Sequence, residues 1–206
     1  MDDIGQALAQ ITMGPYVAKA MALIGKSRKA GSNMFRHQLD TMAILVDYKM
    51  IDPVLLKAAV IHDLFEECSG MPGVSRNEIV GVDADGQAVY DLVMEVTLKE
   101  RDGKREPKSE FLKRIMEAGS GRAKMLKLAD RISNLISLGF VHDDQFVRDV
   151  LAETRQFILP YAEKINPNMY REMYDLVADR EHKLMLRNQC QLSRAVEMPA
   201  PEQKTA

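Results

Sequence analysis

An apolar helical run that ends in charge constrains this chain more than any other feature. Ala58-Ala59-Val60-Ile61 leads straight into His62-Asp63, and Glu66-Glu67 follow. A segment so apolar belongs in a core, and a core admits an imidazole and three carboxylates only when they are paired, protonated or bound to a cation. Residues three and four apart share a helix face, so a continuous helix would present His62, Asp63, Glu66 and Glu67 along one edge. One divalent ion would satisfy these groups together. The chain offers two further ligands in segments of helical pattern, His37 and Asp130, and Asp130 opens a stripe with Asn134 and Ser137 that is polar where packing would want apolar groups. Taken singly, a His such as His37 is more often a partner of a backbone carbonyl than a ligand, and Asp130 could be a salt-bridge residue; their joint spacing points to a metal.

Two His and two Asp suit a borderline divalent ion, Mn²⁺, Fe²⁺ or Zn²⁺, better than Ca²⁺, for which imidazole is a poor ligand. Mn²⁺ is the first choice. An ion of this kind lowers the pKa of a bound water and neutralises charge on a phosphoryl oxygen, the two needs of phosphoester hydrolysis. Glu66 and Glu67 would orient or deprotonate the water.

Helical periodicity recurs along the chain, and period-two alternation bounded by turns is hard to find, so the expected fold class is all-α. The pattern predicts a helix over residues 4–24 with a kink or break at Pro15, a loop over 25–33, and a second helix from Met34. Asp52-Pro53 opens a third that continues to Glu67. Ser75 and Glu78 fit a capping box. Asp83-Ala84-Asp85-Gly86 lacks the distal bidentate Glu of a calcium loop and reads as a turn and N-cap. Further helices are predicted from Gln87 to Thr97, Glu110 to Glu117, Arg122 to Leu138, Asp143 to Leu159 and Pro167 to Arg187, with residues 99–110 a charged loop. We expect residues 1–188 to form a single domain and 189–206, with Pro199 and Pro201, a flexible tail.

At 206 residues the chain can bury a core without staples. Cys68 and Cys190 lie far apart, and neither a leader peptide nor a membrane-spanning run is evident, so we expect a reduced, cytoplasmic protein with no membrane partner. A formal net charge of -2, from 28 basic and 30 acidic residues, argues against nucleic-acid binding. The 14 methionines, with no Trp, read as core filler. The sequence leaves the oligomeric state open.

These residues resemble the metal-dependent HD-domain phosphohydrolases, whose ligands are a His, then His-Asp, then a distant Asp. Ala58-Ala-Val-Ile-His-Asp-Leu-Phe-Glu-Glu67 and Lys127-Leu-Ala-Asp-Arg-Ile-Ser-Asn-Leu135 are similar to motifs of the (p)ppGpp hydrolase domain of stringent-response enzymes and of the small alarmone hydrolases. The Glu95–Thr97 segment and residues 25–37 also match, so the resemblance covers about residues 16–140 in order. It implies an HD-domain helical bundle in which His37, His62, Asp63 and Asp130 hold Mn²⁺. Glu66 and Glu67 would manage the attacking water, and Arg28, Lys29, Thr97, Asn134 and Ser137 would surround a small-molecule nucleotide. The implied reaction removes the 3′-pyrophosphate of guanosine tetra- or pentaphosphate, without the synthetase region of the long bifunctional enzymes.

The chain departs from the family pattern at Gln38, where Pro is usual after the first ligand His, at Glu67, where Asp is usual, and at Met34-Phe35 and Ile136. Another nucleotide remains open as substrate, such as an adenine alarmone or a phosphorylated dinucleotide. So does a non-catalytic domain that binds nucleotide and regulates a partner. The basic loop 99–108 reads either as a polyphosphate contact or as a solvated face.

Overall fold

The computed structural model describes residues 3–197, and it is all-α apart from one small hairpin. Asp3–Ala9 forms α1, and α2 is Gly14–Ala20 followed by a 3₁₀ turn, Met21–Leu23. The expected break at Pro15 is therefore a true interruption, with the proline in the first turn of α2, where its missing N–H costs no helical bond.

The loop after Leu23 closes on itself. The Met34 amide donates to the Lys26 carbonyl (3.0 Å), and the Asn33 side chain caps α3 (Met34–Asp47) by accepting from the Arg36 amide at 2.9 Å. Gly31, at φ +84°, lies so near the C-terminal end of a later helix that a Cβ would sit 3.1 Å from the Ser137 carbonyl oxygen. Only glycine combines that backbone sign with that approach.

Asp52 caps α4 (Pro53–Ile61) through the Leu55 amide, at 2.9 Å. Every residue of α4 from Val54 to Ile61 is buried, so it is the central helix, packed against α2, α3 and α7. The predicted continuous helix to Glu67 is not what forms. The α4 helix ends at Ile61, His62-Asp63 make a turn with Asp63 at ψ 0°, and a separate short helix α5 (Leu64–Glu67) follows.

Ser75 caps α6 (Arg76–Val80), and α7 (Gly86–Val96) buries Val89, Leu92, Val93 and Val96, the face its periodicity predicts. The expected loop 99–110 contains a two-stranded antiparallel hairpin, β1 (Glu100–Arg101) with β2 (Lys104–Arg105). Asp102-Gly103 turns it, both at positive φ (53° and 72°), the geometry that matches strand twist in a two-residue loop. Next come α8 (Lys108–Lys113) with a π turn over Arg114–Ala118, then α9 (Gly121–Ser137) with a 3₁₀ turn to Phe140.

The predicted helix from Asp143 is α10 (Asp144–Glu153), continued by a π turn and by α11 (Leu159–Ile165). Pro160 opens α11 instead of ending the helix. The last helix, α12 (Pro167–Glu197), extends ten residues past its predicted end at Arg187 and packs on α9 and α11. Residues 189–197 of the expected tail thus continue α12, and its remainder, residues 198–206, lies outside the described residues. Among the described residues no helix is long and apolar enough to cross a membrane.

Candidate metal centre

Three elements bring the ligand candidates together: the first turns of α3, the turn after α4, and the middle of α9. His37, His62 and Asp130 are 1 %, 5 % and 5 % exposed, and one ligand atom from each lies within 4.8 Å of the others. His37 Nε2 is 3.1 Å from Asp130 Oδ1, and His62 Nε2 is 3.8 Å from the same oxygen. Asp63 approaches from the partly open side, its Oδ2 3.6 Å from His37 Nε2 and 3.4 Å from His62 Nε2.

The outer nitrogens fix the rings. His62 Nδ1 lies 2.8 Å from the Ala59 carbonyl, which can only accept, so Nδ1 carries the hydrogen and the neutral ring presents its Nε2 lone pair to the cluster. That Nε2 is buried and has no hydrogen-bond partner among the described residues. On the opposite ring, His37 Nδ1 contacts Ser133 Oγ at 2.8 Å. Backbone or hydroxyl support behind each imidazole is how metal-binding histidines are held.

This arrangement fits a divalent ion. Ligands roughly 2.1 Å from such an ion stand about 3 to 3.5 Å apart, close to the separations here and too long for most of them to be hydrogen bonds. Burial, the strongest influence on all four groups, opposes charge and lowers the His37 pKa. For His62 the carboxylates of Asp63 and Asp130 outweigh burial and raise the pKa, while Lys127 and the imidazoles hold Asp130 well below the usual carboxylate range. The protein thus favours a positive charge at His62 Nε2, a position that a proton and a metal ion would compete for.

The cluster forms one wall of a cavity of about 270 Å³. Arg28, Lys108 and Lys127 supply cations to its lining, and Met34, Val96, Leu98, Phe111 and Leu126 supply an apolar side. Lys127 Nζ donates to Asp130 Oδ2 at 2.7 Å and lies 4.7 Å from the Phe111 ring centroid. Arg28 donates to Asn134 Oδ1, and Asn134 Nδ2 donates to Asp130 Oδ1 at 2.6 Å, so a relay of polar contacts joins the loop 25–33 to a ligand. Glu66 lines the same cavity and accepts from the Leu98 amide at 2.7 Å. Burial raises its pKa above the ordinary 4.5, opposed by that amide.

Not every predicted site residue arrives. Glu67, the neighbour of Glu66 on α5, is exposed and does not line the cavity. Lys29 is exposed. Thr97 and Ser137 are buried without lining the cavity, and the Thr97 hydroxyl is used by the Val93 carbonyl at 2.8 Å. Of the basic loop 99–108, a candidate polyphosphate contact, Lys108 lines this cavity, whereas Phe111 and Ser133 are not singled out by the sequence. Ser133 was legible as the helical neighbour three residues beyond Asp130, whereas Phe111 enters from α8 by tertiary packing alone.

No protein-family model matches the chain. It is 30 % identical over 168 residues to a guanosine-3′,5′-bis(diphosphate) 3′-pyrophosphohydrolase of Vibrio cholerae, an alignment covering 78 % of this chain and 23 % of that protein. It is 29 % identical over 183 residues to a GTP pyrophosphokinase rsh of Brucella melitensis, covering 86 % and 23 %. Against the bifunctional (p)ppGpp synthase/hydrolase SpoT of Escherichia coli K12 the identity is 30 %, covering 73 % and 21 %. The chain thus spans less than a quarter of the length of these curated relatives. A solved structure, described as a metazoan ortholog of SpoT that hydrolyzes ppGpp and plays a role in starvation responses, superposes with a TM-score of 0.58 at 21 % identity. That match covers 83 % of this chain and 98 % of the other. In sequence the chain resembles the stringent-response (p)ppGpp enzymes over most of its length, and its fold is that of the metazoan SpoT ortholog.

Proposed function

We propose that the chain is an HD-type, Mn²⁺-dependent 3′-pyrophosphohydrolase of guanosine 3′,5′-bis(diphosphate), acting in the cytoplasm. The observation that carries this reading is the buried, unpartnered His62 Nε2, set among His37, Asp63 and Asp130 on the wall of a cavity lined by three cations. A bound ion would supply Lewis-acid polarisation of a phosphoryl oxygen and a nucleophilic water at neutral pH. His37, His62, Asp63 and Asp130 would hold it.

The remaining steps belong to the protein's own groups. Glu66, held by the Leu98 amide and raised in pKa by burial, would accept a proton from the attacking water. Arg28, Lys108 and Lys127 offset charge on the phosphates, and Lys127 also keeps Asp130 ionised. The apolar side from Met34 to Leu126 excludes water beside the reacting group and offers a surface for the nucleoside. Glu67, Lys29, Thr97 and Ser137 lie outside the cavity lining and have no direct part in this reading.

Product analysis tests it: Mn²⁺-loaded protein is incubated with guanosine tetraphosphate beside a panel of 3′- and 5′-phosphorylated nucleotides. Release of GDP and pyrophosphate, abolished by Asp63→Ala, is the expected result. No turnover of that substrate with the metal site filled would overturn the reading. Turnover of another member of the panel would then identify a different nucleotide phosphohydrolase.

A further inference from the structure

Gln38 is fully buried, on the α3 turn that also carries His37, and its amide makes two hydrogen bonds to Asp63. Its Nε2 donates to Asp63 Oδ2 at 2.9 Å, and its Oε1 accepts from the Asp63 backbone amide at 3.3 Å. The orientation is not arbitrary: a carboxylate oxygen can only accept and a backbone N–H can only donate, so the amide nitrogen must face Oδ2. The oxygen it grips is the one that stands 3.6 and 3.4 Å from the two imidazole Nε2 atoms.

Asp63 needs such a grip more than its neighbours do. Asp130 is held by Lys127 and Asn134, and each histidine by a contact at Nδ1. The Asp63 side chain is 24 % exposed and sits in a turn, so helix packing does not aim it. Among the described residues the hydrogen bond to its carboxylate comes from Gln38. The adjacent pairs His37-Gln38 and His62-Asp63 thus cross-link α3 to the turn after α4, one residue of the first pair locking one residue of the second.

We propose that Gln38 is the positioning residue that sets Asp63 as a metal ligand, and through it the affinity of the centre for a divalent cation. This rests on the metal reading above and adds a residue to it. Gln38 would touch neither substrate nor ion. A two-point clamp fixes which carboxylate oxygen faces the imidazoles before the ion arrives, so less ordering remains to be done on binding. Outer contacts of this kind are typically worth roughly 10- to 100-fold in metal affinity.

The test is Mn²⁺ titration of the full chain, followed by the paramagnetic resonance of free Mn²⁺, for wild type, Gln38→Met and Gln38→Asn. The methionine variant keeps the volume and removes both polar contacts; the asparagine variant keeps the amide but is one methylene too short to make both. Each should bind Mn²⁺ about 10- to 100-fold more weakly, with the melting temperature of the metal-free protein little changed and turnover recovered at saturating Mn²⁺. Lys57→Met, remote from the centre, should keep wild-type affinity. A folded Gln38 variant with unchanged affinity overturns the clamp while leaving the metal reading intact. Failure of the wild type itself to bind Mn²⁺ overturns both.

Discussion

Lys57 and His62 leave the same chain segment little more than one helical turn apart, both buried, yet the protein completes only one of them. Lys57 Nζ donates to Asp83 Oδ2 and Asp85 Oδ2 at 2.7 and 2.6 Å. Asp83 Oδ1 accepts in turn from the Tyr16 hydroxyl at 2.8 Å and the Asp85 amide at 3.0 Å. The Asp83-Ala84-Asp85-Gly86 turn is thus a lysine clamp that ties α4 to α2 and to the start of α7. At His62 the same helix ends in a ring nitrogen, Nε2, without a hydrogen-bond partner among the described residues, between carboxylates at 3.4 and 3.8 Å. A cluster that satisfies itself serves the fold. One that leaves a buried atom open, beside a cavity, is built for something the chain does not contain.

The sharpest way to break this contrast is to remove ligands. Asp130→Ala should abolish Mn²⁺ binding and lower turnover by at least about 10³-fold while the protein stays folded, as read by circular dichroism and a pyrophosphate-release assay. Glu66→Gln should separate chemistry from binding: Mn²⁺ affinity near wild type, turnover down about 10²- to 10⁴-fold. An equal loss of affinity would move Glu66 among the ligands.

Metal and clamp should also part company in stability. Mn²⁺ at about 100 times its dissociation constant should stabilise the wild type by about 2.7 kcal/mol, and chelator should reverse the gain, as followed by thermal melting. Lys57→Met should destabilise by about 2 kcal/mol and leave Mn²⁺ affinity alone. Stranding both carboxylates drives that loss, and the part-exposed Asp85 keeps it below the value for a fully buried pair. The smallest effect is in pH. Burial works against the Asp83 carboxylate, but Lys57 and Tyr16 outweigh it and lower its pKa below 3.8. A lowered folded pKa gives stability that is present above the ordinary carboxylate value and lost as pH falls through the folded one. Melting temperature should therefore drop more steeply below about pH 4 in the wild type than in Lys57→Met.

Much of this was legible in the chain. The helical class follows from periodicity, and the four ligand candidates could be named because polar residues at helical spacing are seldom placed inside apolar runs without something to bind. What was not legible depends on packing and on distance. Glu66 and Glu67 share one role in the sequence reading, but as neighbours on α5 they project about 100° apart, and only packing decides that Glu66 lines the cavity while Glu67 is exposed. The Asp102-Gly103 turn carried a hairpin signal that the surrounding charge masked. Nothing near Lys57 in sequence marks its role; the turn between α6 and α7 brings Asp83 and Asp85 to it. Gln38 stood out only as a departure from a family pattern; its role lies in Asp63, 25 residues away.

The central claim is that His62 Nε2 and His37 Nε2 share a divalent ion. Pulsed electron paramagnetic resonance of Mn²⁺-loaded protein, with nitrogen couplings resolved, tests it most directly. The account predicts one ion per chain coupled to two imidazole nitrogens, with one coupling lost in His62→Gln. Mn²⁺ bound without imidazole coupling, or not bound at all, would contradict it.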